Sequence, residues 1–203
     1  MSKKPIIVFE GIEGTGKSYH INNVAQFLRK HNKDFIKIRE PGGNKNSEKI
    51  RRLILNNKST FNKNTDLLLY MSSRSENIEL IRKNMGKKII LIDRFTDSTL
   101  AYQHYGMGID IKFIQMINNF LLKEIDVTFT FLNLVNEKNL KKRLLKRKKL
   151  NRYDKFSSFF YKKVQNGFLN ILKKNPKKYM KINSNLDILK NKKKILIKID
   201  NLV

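Results

Sequence analysis

The sequence contains no cysteine. That excludes disulfide staples and thiolate metal sites, and it suits a reducing cytoplasm, where the chain is expected to work. No apolar run approaches the roughly 18 residues a membrane span needs. Met1-Ser2-Lys3-Lys4 leads directly into a first extended segment, which leaves no room for a secretion signal. Neither a membrane nor the secretory route is therefore expected. No internal repeat and no long linker interrupts the 203 residues, so a single domain over 1–203 is expected. That length is enough to bury a substantial core.

Acidic side chains are scarce. The chain has 17 of them against 44 lysines and arginines, for a formal net charge of +27. Residues 136–203 alone hold 22 basic and 4 acidic side chains, a surplus of 18. Nucleic acid is one partner such a charge suggests. No nucleic-acid-binding motif accompanies it, however, and the abundance of Lys, Asn and Ile points to a compositional bias, so no nucleic-acid partner is expected. Runs such as Lys192-Lys193-Lys194 read as solvated surface, tolerable where the ligands are anions that gain from steering.

Glycine is sparse as well, at 9 residues, yet three of them fall in one stretch: Phe9-Glu10-Gly11-Ile12-Glu13-Gly14-Thr15-Gly16-Lys17-Ser18. This is G-x-x-x-x-G-K-S, the phosphate-binding P-loop. Its glycines let backbone N–H groups turn inward on an anion. Lys17 supplies a mobile ammonium for the β- and γ-phosphates, and Ser18 a hydroxyl for Mg²⁺. The context is right. Pro5-Ile6-Ile7-Val8-Phe9 is an apolar run before the loop, and Ile21, Val24, Ala25, Phe27 and Leu28 recur at helical spacing after it. A helix opening at Gly16 would aim its positive end at the same anion.

Extended and helical signals then alternate to the end, which predicts an α/β fold: a five-stranded parallel sheet with helices on both faces. Strands are expected at 34–39, 87–93, 127–132 and 179–182. Helices are expected at 46–56, 64–85, 97–105, 110–123 and 136–148, from Phe159, and from Leu186 onward. Sites in such sheets lie beyond the carboxyl ends of the strands. That rule gathers residues 13–18, Arg39–Gly43, Asp93–Arg94 and Asn183 onto one edge. Asp93 ends an apolar strand, the position of the Mg²⁺-holding acid in P-loop enzymes.

The P-loop, Arg39-Glu40-Pro41-Gly42-Gly43, Ser73-Arg74 and the run from Asp93-Arg94-Phe95-Thr96-Asp97 to Tyr102-Gln103 together resemble the bacterial-type thymidylate kinase family, over about residues 5–170. The resemblance implies transfer of the ATP γ-phosphate to dTMP, giving dTDP and ADP on the way to dTTP, with Mg²⁺ as cofactor and a homodimer as assembly. It implies that Gly11, Ile12, Glu13, Gly14, Thr15, Gly16, Lys17 and Ser18 bind ATP, and that Ser18 and Asp93 hold the metal. Arg39, Arg51 and Arg94 would grip the dTMP phosphate, a task for forked guanidiniums. Glu13 would lie near the sugar 3′-hydroxyl, and Tyr102 would crowd C2′ against ribose. Tyr70 would stack on thymine, where the family usually has Phe. Arg74 would donate to a thymine carbonyl, Gln103 would read N3–H with its amide, and Thr99 would line the base.

The segment 140–157 resembles a lid that closes over ATP. Arg143, Arg147 and Arg152 are its candidates for the transferring phosphoryl group, and Arg152 lies closest to the family pattern; Lys17, Arg94 and Arg152 are the expected catalytic residues. His20 departs from the family's usual Thr and is expected on the helix surface. Past residue 175 the resemblance thins: Ile182-Asn183-Ser184-Asn185 stands where the family has an acid and a Pro-containing turn. A nucleoside kinase would want a general base near a 5′-hydroxyl. The phosphate-gripping arginines argue instead for a substrate that already carries phosphate.

Overall fold

Five short strands pair side by side in one sheet, and every pairing is parallel. The computed structural model describes residues 4–203. The strands are β1 (Ile6–Glu10), β2 (Phe35–Arg39), β3 (Ile89–Asp93), β4 (Phe129–Leu134) and β5 (Tyr179–Asn183), in the spatial order β2-β3-β1-β4-β5. The helices are α1 (Lys17–Lys30), α2 (Lys45–Leu55), α3 (Lys63–Asn84), α4 (Thr96–Thr99), α5 (Ile111–Leu122), α6 (Glu137–Leu145), α7 (Ser158–Lys174) and α8 (Ile188–Asp200). The predicted five-stranded α/β architecture is thus the one observed.

β1 is buried along its whole length, as a central parallel strand with both faces covered must be. On one face, Ile7, Phe9, Leu91 and Phe131 pack on Ile21, Val24 and Leu28 of α1 and on Ile195 and Ile199 of α8. On the other, Val8, Ile90 and Ile92 pack on Ile78 and Ile81 of α3. A third cluster joins Tyr102, Leu140, Tyr153, Val164 and Phe168 beyond the strand ends, and this one builds the far wall of the site. His20 departs from expectation: it is 2% exposed and is counted with the buried face of α1. The reason is helical geometry, since His20 lies one turn before the fully buried Val24. Burial pushes its imidazole down to about 4, so it is neutral.

Local chemistry sets most helix ends. Side chains of Asn44, Asn62, Asp110, Asn136, Ser157 and Asp187 cap α2, α3, α5, α6, α7 and α8 by accepting first-turn N–H groups. Two expectations shift. β4 begins at Phe129 because the Thr128 hydroxyl, not a carbonyl, accepts the Ile6 N–H at 3.0 Å. The helix expected over 97–105 is a single α turn that widens into a π-helix at Leu100–Gly106, marked by the Met107 N–H on the Tyr102 carbonyl at 2.9 Å. The predicted basic helix stops at Leu145, and Arg152–Lys155 forms a separate 3₁₀ turn in the lid. Among the described residues no helix is long and apolar enough to cross a membrane.

Candidate active site

The register of the strands decides what meets at the carboxyl edge. Asp93 lies opposite Phe9 of β1 on one side and opposite Arg39 of β2 on the other. The loops leaving β1, β2 and β3 therefore open onto a single cleft of about 470 Å³, within the usual range for small-molecule sites. Its walls carry Glu13, Gly14, Thr15, Gly16, Lys17, Ser18, Arg39, Arg51, Tyr70, Arg74, Asp93, Arg94, Thr99, Tyr102 and Gln103. Side chains up to 90 positions apart, Glu13 and Gln103, converge on it.

The phosphate end is the loop between β1 and α1. Gly16 caps α1 in a left-handed conformation, φ 85°, and offers no side chain to the first-turn N–H groups. Unlike α2, α3 and α5–α8, α1 thus leaves its positive end to an anion. Lys17 Nζ donates to the Gly11 and Ile12 carbonyls, each at 2.8 Å. Burial pushes its ammonium down to about 7, with Arg94 adding to the push and Asp93, Glu13 and Glu10 opposing it. Gly11 and Ile12 themselves do not line the cleft. A Cβ on Gly11 would stand 2.2 Å from the Asn133 carbonyl oxygen, so glycine is demanded there by β4 rather than by a phosphate. The Ile12 side chain belongs to the third core cluster.

The Ser18 hydroxyl lies 3.5 Å from Asp93 Oδ2 on the cleft wall. A hydroxyl and a carboxylate so placed are the hard oxygen donors that Mg²⁺ accepts, with phosphates and water completing its shell. These residues fit the expected metal.

Beyond them stands a charged knot. Arg94 adopts a left-handed backbone, φ 67°, and its side chain donates to Glu13 Oε1 at 2.9 Å. The other Glu13 oxygen accepts from the Tyr102 hydroxyl. Burial alone would raise the Glu13 carboxyl; the Arg94 and Lys17 cations and the Tyr102 hydroxyl overcome it and hold the group below the usual carboxylate range. Arg94 is likewise held above its ordinary value, because Tyr102, Glu13, Asp93 and Glu10 outweigh the burial that would lower it. Arg39 forms a forked pair with Glu48, at 3.0 and 2.9 Å, and Arg51 donates to the Pro41 carbonyl at 2.6 Å. Burial lowers the Arg51 guanidinium, and nearby Arg39 adds to this.

At the far end, Arg74 is 1% exposed and held on three sides. Its Nε donates to Glu40 at 2.8 Å, Nη1 to Asn118 at 2.7 Å and Nη2 to the Thr99 hydroxyl at 2.9 Å. Gln103 differs: it is 1% exposed and its amide Nε2 has no partner. Tyr70 lines the same end, its ring edge-on to Tyr153 at 5.9 Å.

The three lid arginines take three different places. Arg152 does not line the cleft; it is ion-paired with buried Asp66, and its Nε donates to the Ile54 carbonyl at 3.1 Å. Arg143 is tied to the Gly14 carbonyl at 2.8 Å and the Ser184 carbonyl at 2.6 Å. Arg147, paired with Asp154, is the lid arginine on the cleft wall.

Glu40 and Glu10, to which the sequence reading gives no role, both hold cleft arginines in place. Glu40 anchors Arg74. Glu10 is wholly buried and accepts from the Phe95 N–H at 2.8 Å, the Ser98 N–H at 3.1 Å and the Ser98 hydroxyl at 2.5 Å, fixing the turn that presents Arg94. Burial outweighs these bonds and raises its carboxyl. The one local signal for Glu10 is its place, an acid ending an apolar strand as Asp93 does.

A family model described as thymidylate kinase matches residues 9–195. A thymidylate kinase of Staphylococcus epidermidis is 37% identical over 182 residues, 88% of this chain and 89% of that protein. One from Kosmotoga olearia is 33% identical over 186 residues, 91% of this chain and 89% of that protein. The crystal structure of thymidylate kinase from Ehrlichia chaffeensis aligns with a TM-score of 0.78 at 29% identity, covering 98% of this chain and 99% of that one. Matches that reach from β1 into α8 take in every segment around the cleft, and the chain belongs to the thymidylate kinase family.

Proposed function

We propose that this cleft transfers the γ-phosphoryl group of ATP to the phosphate of dTMP, giving dTDP and ADP. The observation that carries the reading is Gln103, whose buried, unpartnered amide donor stands on the wall of the same cleft that Lys17 enters. A buried donor without a partner is costly unless a ligand answers it. A pyrimidine edge, with carbonyls beside an N–H, answers both halves of the amide.

In this reading an oxygen of the dTMP phosphate attacks the γ-phosphorus as the bond to the β-phosphate oxygen breaks, and ADP leaves. No general base is needed, because the acceptor phosphate is already ionised. Arg39, Arg51 and Arg94 hold the acceptor phosphate, and Arg94 stays aimed by its bond to Glu13. Lys17 leaves the Gly11 and Ile12 carbonyls for the phosphates of ATP, while the loop from Gly14 to Ser18 and the uncapped start of α1 receive them. Ser18 and Asp93 would hold Mg²⁺, which when bound neutralises charge between the phosphates. Tyr70 supplies the stacking face, Thr99 frames the base, and Tyr102, fixed on Glu13, bounds the sugar. Arg74 frames the thymine end through Glu40, Thr99 and Asn118. Lid closure brings Arg147 over the site and excludes water.

The assembly proposed is a homodimer. Phe113, Met116 and Phe120 are exposed at a helical spacing of three and four on α5, an apolar face that a second copy would cover. Light scattering of the wild type should give twice 24.0 kDa, and Phe120→Glu should give the monomer mass. A cytoplasmic location fits a chain without cysteine.

The test of function is a coupled ADP-release assay with each deoxynucleoside monophosphate in turn. The expected order is dTMP best, dUMP weaker, and dCMP and dGMP poor. Equal turnover of dGMP would sink the assignment of the slot.

A further inference from the structure

Asp66 sits in the first turn of α3, 2% exposed, and neither the phosphoryl chemistry nor the thymine slot uses it. Both of its oxygens are taken by the lid. Oδ1 accepts from Arg152 Nη2, and Oδ2 accepts from the Tyr153 hydroxyl at 2.7 Å. Two further bonds flank this pair. Arg152 Nε donates to the Ile54 carbonyl at the end of α2 at 3.1 Å, and Asn57 Nδ2 donates to the Leu150 carbonyl at 2.8 Å. The Arg152 guanidinium also lies over the Phe61 ring, 5.8 Å from its centroid. Lid residues 150–153 are thus fastened to the corner where α2 meets α3.

That corner belongs to the acceptor side of the cleft. Tyr70 lies one turn along α3 from Asp66, and its ring stands at 88° to that of Tyr153 with centroids 5.9 Å apart. Tyr153 therefore touches the latch at its hydroxyl and the thymine slot at its ring. The same 3₁₀ turn holds Asp154, which receives Arg147, and Arg147 lines the cleft. Opening the lid would strip both partners from Asp66, so a closed lid and an ordered start of α3 favour each other. Whatever steadies Tyr70 steadies the surface on which Tyr153 packs, and the coupling runs equally in both directions.

We propose that Asp66 is a positioning residue that latches the lid to the acceptor arm. Acceptor binding at Tyr70 then closes the lid, and Arg152 is the bolt of that latch rather than a group on the transferring phosphoryl. The inference rests on the dTMP kinase reading above and names how the two halves of that site are coupled.

The test is trypsin cleavage of the intact chain within the exposed run Lys146–Lys149, followed by mass spectrometry and paired with steady-state kinetics. In the wild type, dTMP alone should slow cleavage there by at least about fivefold, the low end of typical coupling. In Asp66→Asn, which keeps the side-chain shape, dTMP should leave the cleavage rate unchanged and the KM for dTMP should rise by at least about the same factor. Asp66→Glu should recover part of the protection. Arg152→Gln should match Asp66→Asn, and the double variant should be no worse than either single one, as expected for two halves of one contact. Thermal melts of each variant show whether it folds. The proposal is overturned if dTMP does not protect the wild-type lid, or if folded Asp66→Asn is protected normally. It is also overturned if Arg152→Gln loses kcat while Asp66→Asn keeps it, since Arg152 would then act on the phosphoryl group directly. Protection by dTMP without turnover would instead overturn the kinase reading and leave the latch standing.

Discussion

The Glu10 carboxylate holds Ser98 twice, through its hydroxyl at 2.5 Å and its backbone N–H at 3.1 Å, across 88 residues of sequence. With the Phe95 N–H on the same carboxylate at 2.8 Å, this bridge ties the end of β1 to the turn after β3. Arg94, at φ 67°, is the residue that turn throws into the cleft. Arg94, on the cleft wall, is thereby held by a group that does not itself line the cleft.

Glu10→Ala should show this directly. It leaves the Phe95 N–H buried without an acceptor, at a cost of about 1–3 kcal/mol, and frees the partly buried Ser98. Urea melts should report that loss. In protein still folded at assay temperature, turnover should fall further than ATP affinity, because Arg94 is misplaced while the cradle remains. Full activity would show that the turn holds its shape without Glu10.

Asp97 gives a pH dependence of definite sign. Burial first, and Glu10 second, push its carboxyl up to about 7, against the Tyr179 hydroxyl at 2.8 Å and the more distant Arg74 cation. The folded state then binds a proton that the unfolded state releases near the ordinary carboxyl value of 3.8. The stabilisation is therefore greatest below that value and is lost as pH rises through about 7. Asp97→Asn should flatten the decline in stability between pH 5 and pH 8 in urea melts. An unchanged slope would place the titration elsewhere.

Lys17 should take up a proton when it meets phosphates. Its ammonium, lowered to about 7, is largely deprotonated in the free protein at about pH 8.5. Binding a triphosphate requires the charge back. Calorimetry of a non-hydrolysable ATP analogue in buffers of different ionisation enthalpy should show uptake approaching one proton, absent in Lys17→Ala. Identical heats in all buffers would contradict the lowered value.

Gln103→Leu removes the unpartnered amide and keeps most of the volume. The KM for dTMP should rise about 10- to 100-fold, as for a lost hydrogen bond to a buried polar ligand. Fold stability should stay level or rise, since no protein partner of Nε2 is lost. A KM that does not move would remove Gln103 from the thymine slot.

Much of the fold was legible in the chain because its signals are short-ranged. Apolar runs of five residues gave β1 and β3, glycines spaced within six positions marked the cradle, and Asn, Asp or Ser stood ready at most helix starts. Where the local signal was ambiguous the boundaries moved. The π-helix at Leu100–Gly106 has the same apolar spacing as an α-helix over so short a span, and only its backbone bonds reveal the wider turn.

The amino-acid order alone determined that a phosphate cradle opens the chain, that strands and helices alternate into a parallel sheet, and that an acid, Asp93, ends one of its apolar strands. Each of these depends on neighbours within about one turn or one strand, where propensity and periodicity act. Only the tertiary structure decided which partners the charged side chains chose. It set Arg74 on Glu40 across 34 residues and Arg152 on Asp66 across 86, and it left Arg147 to face the cleft. A buried guanidinium must be paired wherever packing puts it, and packing is settled by the whole sheet and its layers rather than by the residues on either side.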